Sequence, residues 1–208
     1  MDAFLWIVDI VVVVGMAYLV FAMTLAGWLA GLRRGEAVTL LPEQGSRRRN
    51  LWVQTALVVV SLAVFAVLIY VLWIPVPASV SPGLGLLLRV LGLVLFLVGT
   101  LLVLWARRTL GRMWGISTSR QVKLLPDHEL VKGGPYAIVR HPMYAGWWFA
   151  LIGTILIYRT LILIILLVFS VYVFVRRARL EEKVLAERFG PDWEAYAAST
   201  KSLIPFIY

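Results

Sequence analysis

Long apolar runs separated by short basic stretches make up most of the chain. The runs are Phe4–Leu32, Leu51–Ile74, Leu84–Trp105, Met143–Tyr158 and Leu161–Val175. A helix crossing a bilayer needs roughly 20 apolar residues, with a range of about 17 to 25, so the first three runs predict full spans. The last two are shorter and are parted only by Arg159 and Thr160, which predicts a tight helical hairpin. The expectation is an all-α integral membrane fold with five transmembrane helices, the last two forming the short hairpin, together with cytoplasmic interfacial helices. Residues 1–208 read as a single membrane domain, with 1–105 as an N-terminal three-helix part and 106–208 as a C-terminal part.

The connections fit that layout. IPVPASVSPGLG, Ile74 to Gly85, has three prolines and two glycines and reads as a turn. Arg107 to Met113 is basic and partly apolar, suited to the interface. From Arg176 the sequence RRARLEEKVLAERFG predicts a separate membrane-surface helix with Leu180, Val184 and Leu185 on one stripe, stopped by Gly190-Pro191. Trp193, Tyr196, Phe206 and Tyr208 beyond it suit an interfacial position.

Composition and charge set the class and the orientation. With 62% hydrophobic and 15% charged residues, the chain has too little polar surface for an ordinary soluble globule. Phe4–Leu32 is too long and too weakly charged at its start for a cleaved signal peptide, and is expected to be retained. Residues 33–50 carry five Lys and Arg, 106–142 carry seven and the stretch from Arg176 carries six, together 18 of the chain's 20. All three segments fall on one side if the N-terminus is outside and the C-terminus cytoplasmic, which the positive-inside rule favours. The formal charge of +9 then reflects topology and attraction to anionic lipid. No base-stacking module or repeat accompanies it, so nucleic acid is not an expected partner. With no cysteine and two histidines, disulfides, thiolate nucleophiles and a metal centre are not expected either.

Chemistry must therefore rest on Arg, Glu, His and Tyr, and these gather in GGPYAIVRHPMYAGWW, Gly133 to Trp148. Gly133, Gly134 and Pro135 break any preceding helix, and His141-Pro142 starts the next one with proline near its first position. The free N–H groups of that terminus form a ready anion site, with Arg140 and His141 beside it as further donors. Taken singly, Arg140 fits a side chain snorkelling to headgroups, His141 a helix cap, and Tyr136, Tyr144, Trp147 and Trp148 an aromatic belt. Crowded into so few residues, Tyr136, Arg140, His141 and Tyr144 point to a binding site.

GPYAIVRHPMYAG, RRARLEEKVLAERFGPDWEAY and the closing IPF, with LGRMWG (Leu110 to Gly115) and HELVKGGPY (His128 to Tyr136), resemble the isoprenylcysteine carboxyl methyltransferase family and its bacterial relatives. Those relatives include membrane phospholipid and small-thiol methyltransferases. The resemblance covers about half the chain, from Leu110 onward, and implies an integral protein of a bacterial or archaeal plasma membrane. It would use cytosolic S-adenosylmethionine to methylate a lipophilic acceptor from the bilayer, such as a prenylated cysteine carboxylate. No Gly-rich strand-turn-helix is present, so the cofactor site is expected between the loop before the fourth helix and the tail after the fifth. The cofactor's anionic end is assigned to His141 and Arg140, its adenine or sulfonium to Tyr136 and Tyr144, and its ammonium or ribose to Glu181 or Glu182. By resemblance Arg177 and Glu182 take the family's catalytic tail positions and are expected within reach of each other, whereas Glu181, Lys183, Glu187 and Arg188 fit a solvated ion-pair ladder. Other acceptors, an NADPH-dependent lipid reductase and a non-catalytic scaffold are the alternatives, and the oligomeric state is open.

Overall fold

The computed structural model describes residues 2–22, 24–25, 29, 47–76, 80–114, 124 and 127–203. The basic pair Arg33 and Arg34, the turn around Ser79, Gly115, the closing IPF motif and Tyr208 lie outside the described residues. Helix α1 (Asp2–Ala17) runs into a π turn at Tyr18–Ala22; α2 (Arg47–Val71) and α3 (Pro82–Leu110) follow, then α4 (Pro142–Tyr158), α5 (Leu161–Phe189) and α6 (Pro191–Ser199). Among the described residues, four stretches are long and apolar enough to cross a membrane: Ala3–Phe21, Trp52–Val71, Pro82–Met113 and Leu161–Phe189. Helix α4, with 17 residues, extends about 25 Å against a hydrocarbon core of about 30 Å and is short as the sequence predicts, whereas its expected short partner α5 runs for 29 residues.

Two elements differ from the expectation. The surface helix foreseen from Arg176 is the uninterrupted continuation of α5, because no Gly or Pro occurs anywhere in Leu161–Phe189. The apolar part of α5 ends at Val175, and a polar extension carries Arg177, Glu181 and Glu182 beyond it. In addition, α4 lies along α3 far more than against its hairpin neighbour α5.

Glycine explains that choice of partner. Gly92 and Gly99 of α3 meet Gly153 and Gly146 of α4 in reciprocal pairs: a Cβ on Gly99 would lie 2.5 Å from the Gly146 carbonyl oxygen, and one on Gly153 would lie 2.4 Å from that of Gly92. A spacing of seven residues keeps each pair on one helix face, and the absent side chains let the backbones touch. Phe96, 1% exposed, fills the space between the pairs with Val103, Ala150 and Ile157, and α1 covers it through Val8 and Val12. The outer faces of α1, α2 and α5 expose Trp6, Val60, Val67, Val168 and Phe169, as a lipid-facing surface requires.

The second end of the fold belongs to the tail. Gly190, at φ 49°, ends α5 and turns the chain into α6. Residue 201 then pairs with Val139 in a parallel bridge, the Arg140 amide donating to the Lys201 carbonyl at 2.8 Å and the His141 amide to that of Ser202 at 2.9 Å. Trp193 and Tyr196, read from sequence as interfacial, are each only 6% exposed. The Tyr196 hydroxyl donates to the Tyr136 carbonyl at 2.7 Å, so these buried aromatics help dock the tail on the segment that precedes α4.

Candidate active site

The RHP tripeptide and the polar extension of α5 meet in one buried network. His141 holds the N-cap position of α4 but makes no capping bond with its side chain. Its ring instead bridges two carboxylates, Nε2 lying 3.1 Å from Glu182 Oε1 and Nδ1 3.4 Å from Glu181 Oε2. Consecutive helical residues diverge by about 100°, so a group touching both glutamates has to sit between the two faces they open onto.

On the first face, Glu181 accepts from the Tyr144 hydroxyl at 2.7 Å and from Arg177 Nε at 3.0 Å. The Tyr144 ring stacks between His141, at 5.4 Å, and Phe174, at 4.7 Å, with Trp148, one turn further along α4, against Phe174. The Arg177 guanidinium lies 5.9 Å from the Tyr144 ring centre. On the second face, Glu182 Oε1 accepts from Arg140 Nε at 2.9 Å and from the Ser202 hydroxyl at 2.8 Å. Arg140 Nη1 also donates to the carbonyls of Ala197, at 2.9 Å, and Thr200. A cleft of about 320 Å³ opens on this side, walled by Arg140, Val175, Arg179, Glu182, Lys201 and Ser202.

The six residues Arg140, His141, Tyr144, Arg177, Glu181 and Glu182 thus share one network, while Tyr136 is buried beside it in the short 3-10 helix Gly134–Ala137. The pairing differs from the sequence expectation. Arg177 bonds Glu181, at the i,i+4 spacing, and it is Arg140 that takes Glu182. Glu181 is no member of a solvated ladder, its side chain being 20% exposed, whereas Lys183 and Glu187 are, at 75% and 65%. Ser202 was out of reach of sequence reasoning, since nothing distinguishes that hydroxyl from its neighbours until the tail folds back onto Glu182.

Burial alone would raise both carboxylates, but hydrogen bonds from His141, with Arg177 and Tyr144 on Glu181 and Arg140 and Ser202 on Glu182, outweigh it and hold each at about 2 against the ordinary 4.5. Burial would lower His141, and the same two carboxylates outweigh it and raise the imidazole above its ordinary 6.5. The signs set a pH window. The carboxylates stabilise the network above about pH 4.5 and lose that contribution as pH falls toward 2. Charged His141 contributes fully below pH 6.5 and is lost as pH rises through its raised value. Thermal melting of the protein in detergent is therefore expected to fall on the alkaline side, and His141→Gln is expected to remove that alkaline fall while leaving the acid one. An alkaline fall of equal size in the variant would place the titrating group elsewhere.

Residues 87–192 match the phospholipid methyltransferase family model, about half of the chain. The protein-S-isoprenylcysteine O-methyltransferase of Saccharomyces cerevisiae is 34% identical over 122 residues, 58% of this chain and 50% of that one. Its counterpart in Tribolium castaneum is 38% identical over 82 residues, 39% of this chain and 29% of that one. The chain thus spans half or less of the length of these curated relatives. The solved structure of a eukaryotic intramembrane Ras methyltransferase, an isoprenylcysteine carboxyl methyltransferase, superposes over 97% of this chain and 74% of its own with a TM-score of 0.56 and 25% identity.

Proposed function

Since the chain belongs to the family that unites phospholipid and isoprenylcysteine carboxyl methyltransferases, we propose that it is a membrane-embedded, S-adenosylmethionine-dependent methyltransferase acting on a lipophilic carboxylate of the isoprenylcysteine type. The observation that carries this is the His141-bridged pair of carboxylates standing between a polar cleft and an aromatic, membrane-side face.

The donor set of the cleft fits the cofactor. S-adenosylmethionine ends in a zwitterion, and the cleft offers the Glu182 carboxylate together with the cations of Arg179 and Lys201. Its volume of about 320 Å³ lies at the small end of ligand sites, which run from about 300 to 1,000 Å³. The bound cofactor supplies an electrophilic methyl group on a sulfonium. Glu182 holds the polar end, with Arg140 orienting Glu182 and fixing the tail that walls the cleft. Tyr144, and Tyr136 behind it, line the approach to the reacting centre.

On the other face Arg177, steadied by Glu181, is available to orient an acceptor carboxylate, with Phe174 and Trp148 leading toward the bilayer. An ionised carboxylate already carries the charge needed for in-line attack, so no residue has to remove a proton. His141 is unsuited to that task, since both of its ring nitrogens already face Glu181 and Glu182. In place of the cofactor's anionic end expected from sequence, His141 and Arg140 serve the carboxylates, holding Glu181 and Glu182 in position. Residues 106–208 then carry the chemistry, residues 1–105 serve as scaffold, and the charge count supports a cytoplasmic C-terminus. A phospholipid acceptor is the second reading, favoured by the description of the matching family.

Calorimetry of the purified protein in detergent with S-adenosylmethionine and with NADPH, followed by methyl transfer to prenyl-cysteine, phosphatidylethanolamine and thiol acceptors, tests the reading. Binding of S-adenosylmethionine and methylation of prenyl-cysteine are expected. Binding of NADPH alone would overturn it, and methylation of phosphatidylethanolamine alone would replace the acceptor.

A further inference from the structure

Two consecutive residues just beyond the end of α4 remote from the candidate site each bury a polar atom with no hydrogen-bond partner: Arg159 Nη1 and Thr160 Oγ1. Native folds leave only a few such groups per hundred residues, so an adjacent pair calls for a cause. Conformational freedom is not that cause. Arg159 stands in the left-handed region at φ 50°. Its carbonyl accepts the Val76 amide at 2.7 Å, the Leu161 amide donates to the Ile74 carbonyl at 2.9 Å, and Thr160 pairs with Pro75 in an antiparallel bridge. The turn is strapped to the chain leaving α2, with Trp73 packed on the Tyr158 ring at 5.3 Å.

The charges around the turn do not balance. Arg159 Nη1 comes within 3.8 Å of where a Cβ on Gly85 of α3 would lie. Arg89, one helical turn along from Gly85, stands within electrostatic reach of the Tyr158 hydroxyl, which Asp9 of α1 engages as hydrogen-bond partner. Among the described residues, neither Arg89 nor Arg159 has a carboxylate at ion-pair distance, and Asp9 is the only acid in the group, against two guanidinium ions. Thr160, 1% exposed, keeps its hydroxyl unanswered. Leu87, Trp73, Ile74 and Leu161 nearby are exposed apolar side chains.

We propose that this turn binds the phosphate of a phospholipid headgroup, in the leaflet opposite the candidate active site. Arg159 and Arg89 supply the charge and the planar donors that suit a phosphate, and the Thr160 hydroxyl adds a neutral donor. The exposed apolar rim accommodates acyl chains, which a free phosphate ion would not use. The turn lies about 25 Å from His141 along the 17 residues of α4, so the site is separate from methyl transfer and does not rest on that reading.

Native mass spectrometry of the detergent-purified protein should show a retained phospholipid that Arg159→Gln and Thr160→Val lose. Arg89→Gln, which leaves the strained turn unaltered, should lose it too, and keeps the test decisive if Arg159→Gln folds poorly. Added phosphatidylglycerol should raise the melting temperature of the wild type by a few degrees and leave the variants unmoved, while inorganic phosphate at the same concentration should do little. Equal lipid retention in wild type and all variants would overturn the proposal. So would stabilisation by inorganic phosphate that phosphatidylglycerol does not reproduce.

Discussion

Glu182→Gln is expected to weaken S-adenosylmethionine binding by about tenfold to a hundredfold, the loss of a charge-assisted hydrogen bond in a half-buried site being about 1.5–3 kcal/mol. One oxygen of Glu182 serves Arg140, His141 and Ser202, so neutralising it leaves the Arg140 guanidinium short of a countercharge, weakens the contact with the His141 ring and loosens the tail that walls the cleft. Glu187→Gln is the internal control. That side chain is 65% exposed and 4.0 Å from Lys183, and exposed helix pairs contribute about 0.3–0.5 kcal/mol, so affinity should stay within about twofold. Glu181→Gln separates the two faces: it should spare cofactor affinity and lower turnover by releasing Arg177. Calorimetry and steady-state kinetics on the three variants decide the matter. Equal, small effects of the substitutions at 182 and 187 would remove Glu182 from the site.

Gly99→Leu is expected to be the most damaging single change to the fold. A Cβ at residue 99 would stand 2.4 Å from the Ala150 amide nitrogen and 2.5 Å from the Gly146 carbonyl oxygen, and both are backbone atoms that no rotamer change can move away. Helix α4 would have to retreat from α3, at a cost of about 3 kcal/mol or more, the upper end for overpacked positions. Because His141 and Tyr144 ride on the first turn of α4, cofactor binding should fall together with the melting temperature. Gly83→Ala, on the same helix with nothing within 4 Å, should leave stability unchanged or raise it by up to about 1 kcal/mol. Normal melting of Gly99→Leu would mean that the glycine pairs do not set the approach of the two helices.

The sequence carried the site's membership further than its wiring. Arg140, His141 and Tyr144 stand out because a Gly-Pro break and a His-Pro start are local backbone signals, and charge at the mouth of an apolar run is conspicuous against its surroundings. Which glutamate meets which arginine was not legible. Arg177 was expected beside Glu182 five residues on, but the i,i+4 geometry of an unbroken helix gives it Glu181, and Arg140 reaches Glu182 across 42 positions of chain. Trp193 and Tyr196 read as interfacial because an amphipathic aromatic looks the same from sequence whether it faces headgroups or the start of α4.

By itself the sequence determined the all-helical membrane class, the runs that form the helices and the turn at Arg159 and Thr160, since hydropathy, chain length and helix-breaking residues act locally. Tertiary structure alone decided that α4 pairs with α3 through two glycine pairs, that the tail docks against the segment before α4, and that Ser202 and Arg140 close on Glu182. Those choices depend on which backbones approach closely and on which polar groups find partners away from water, and neither is a property of any short stretch of chain.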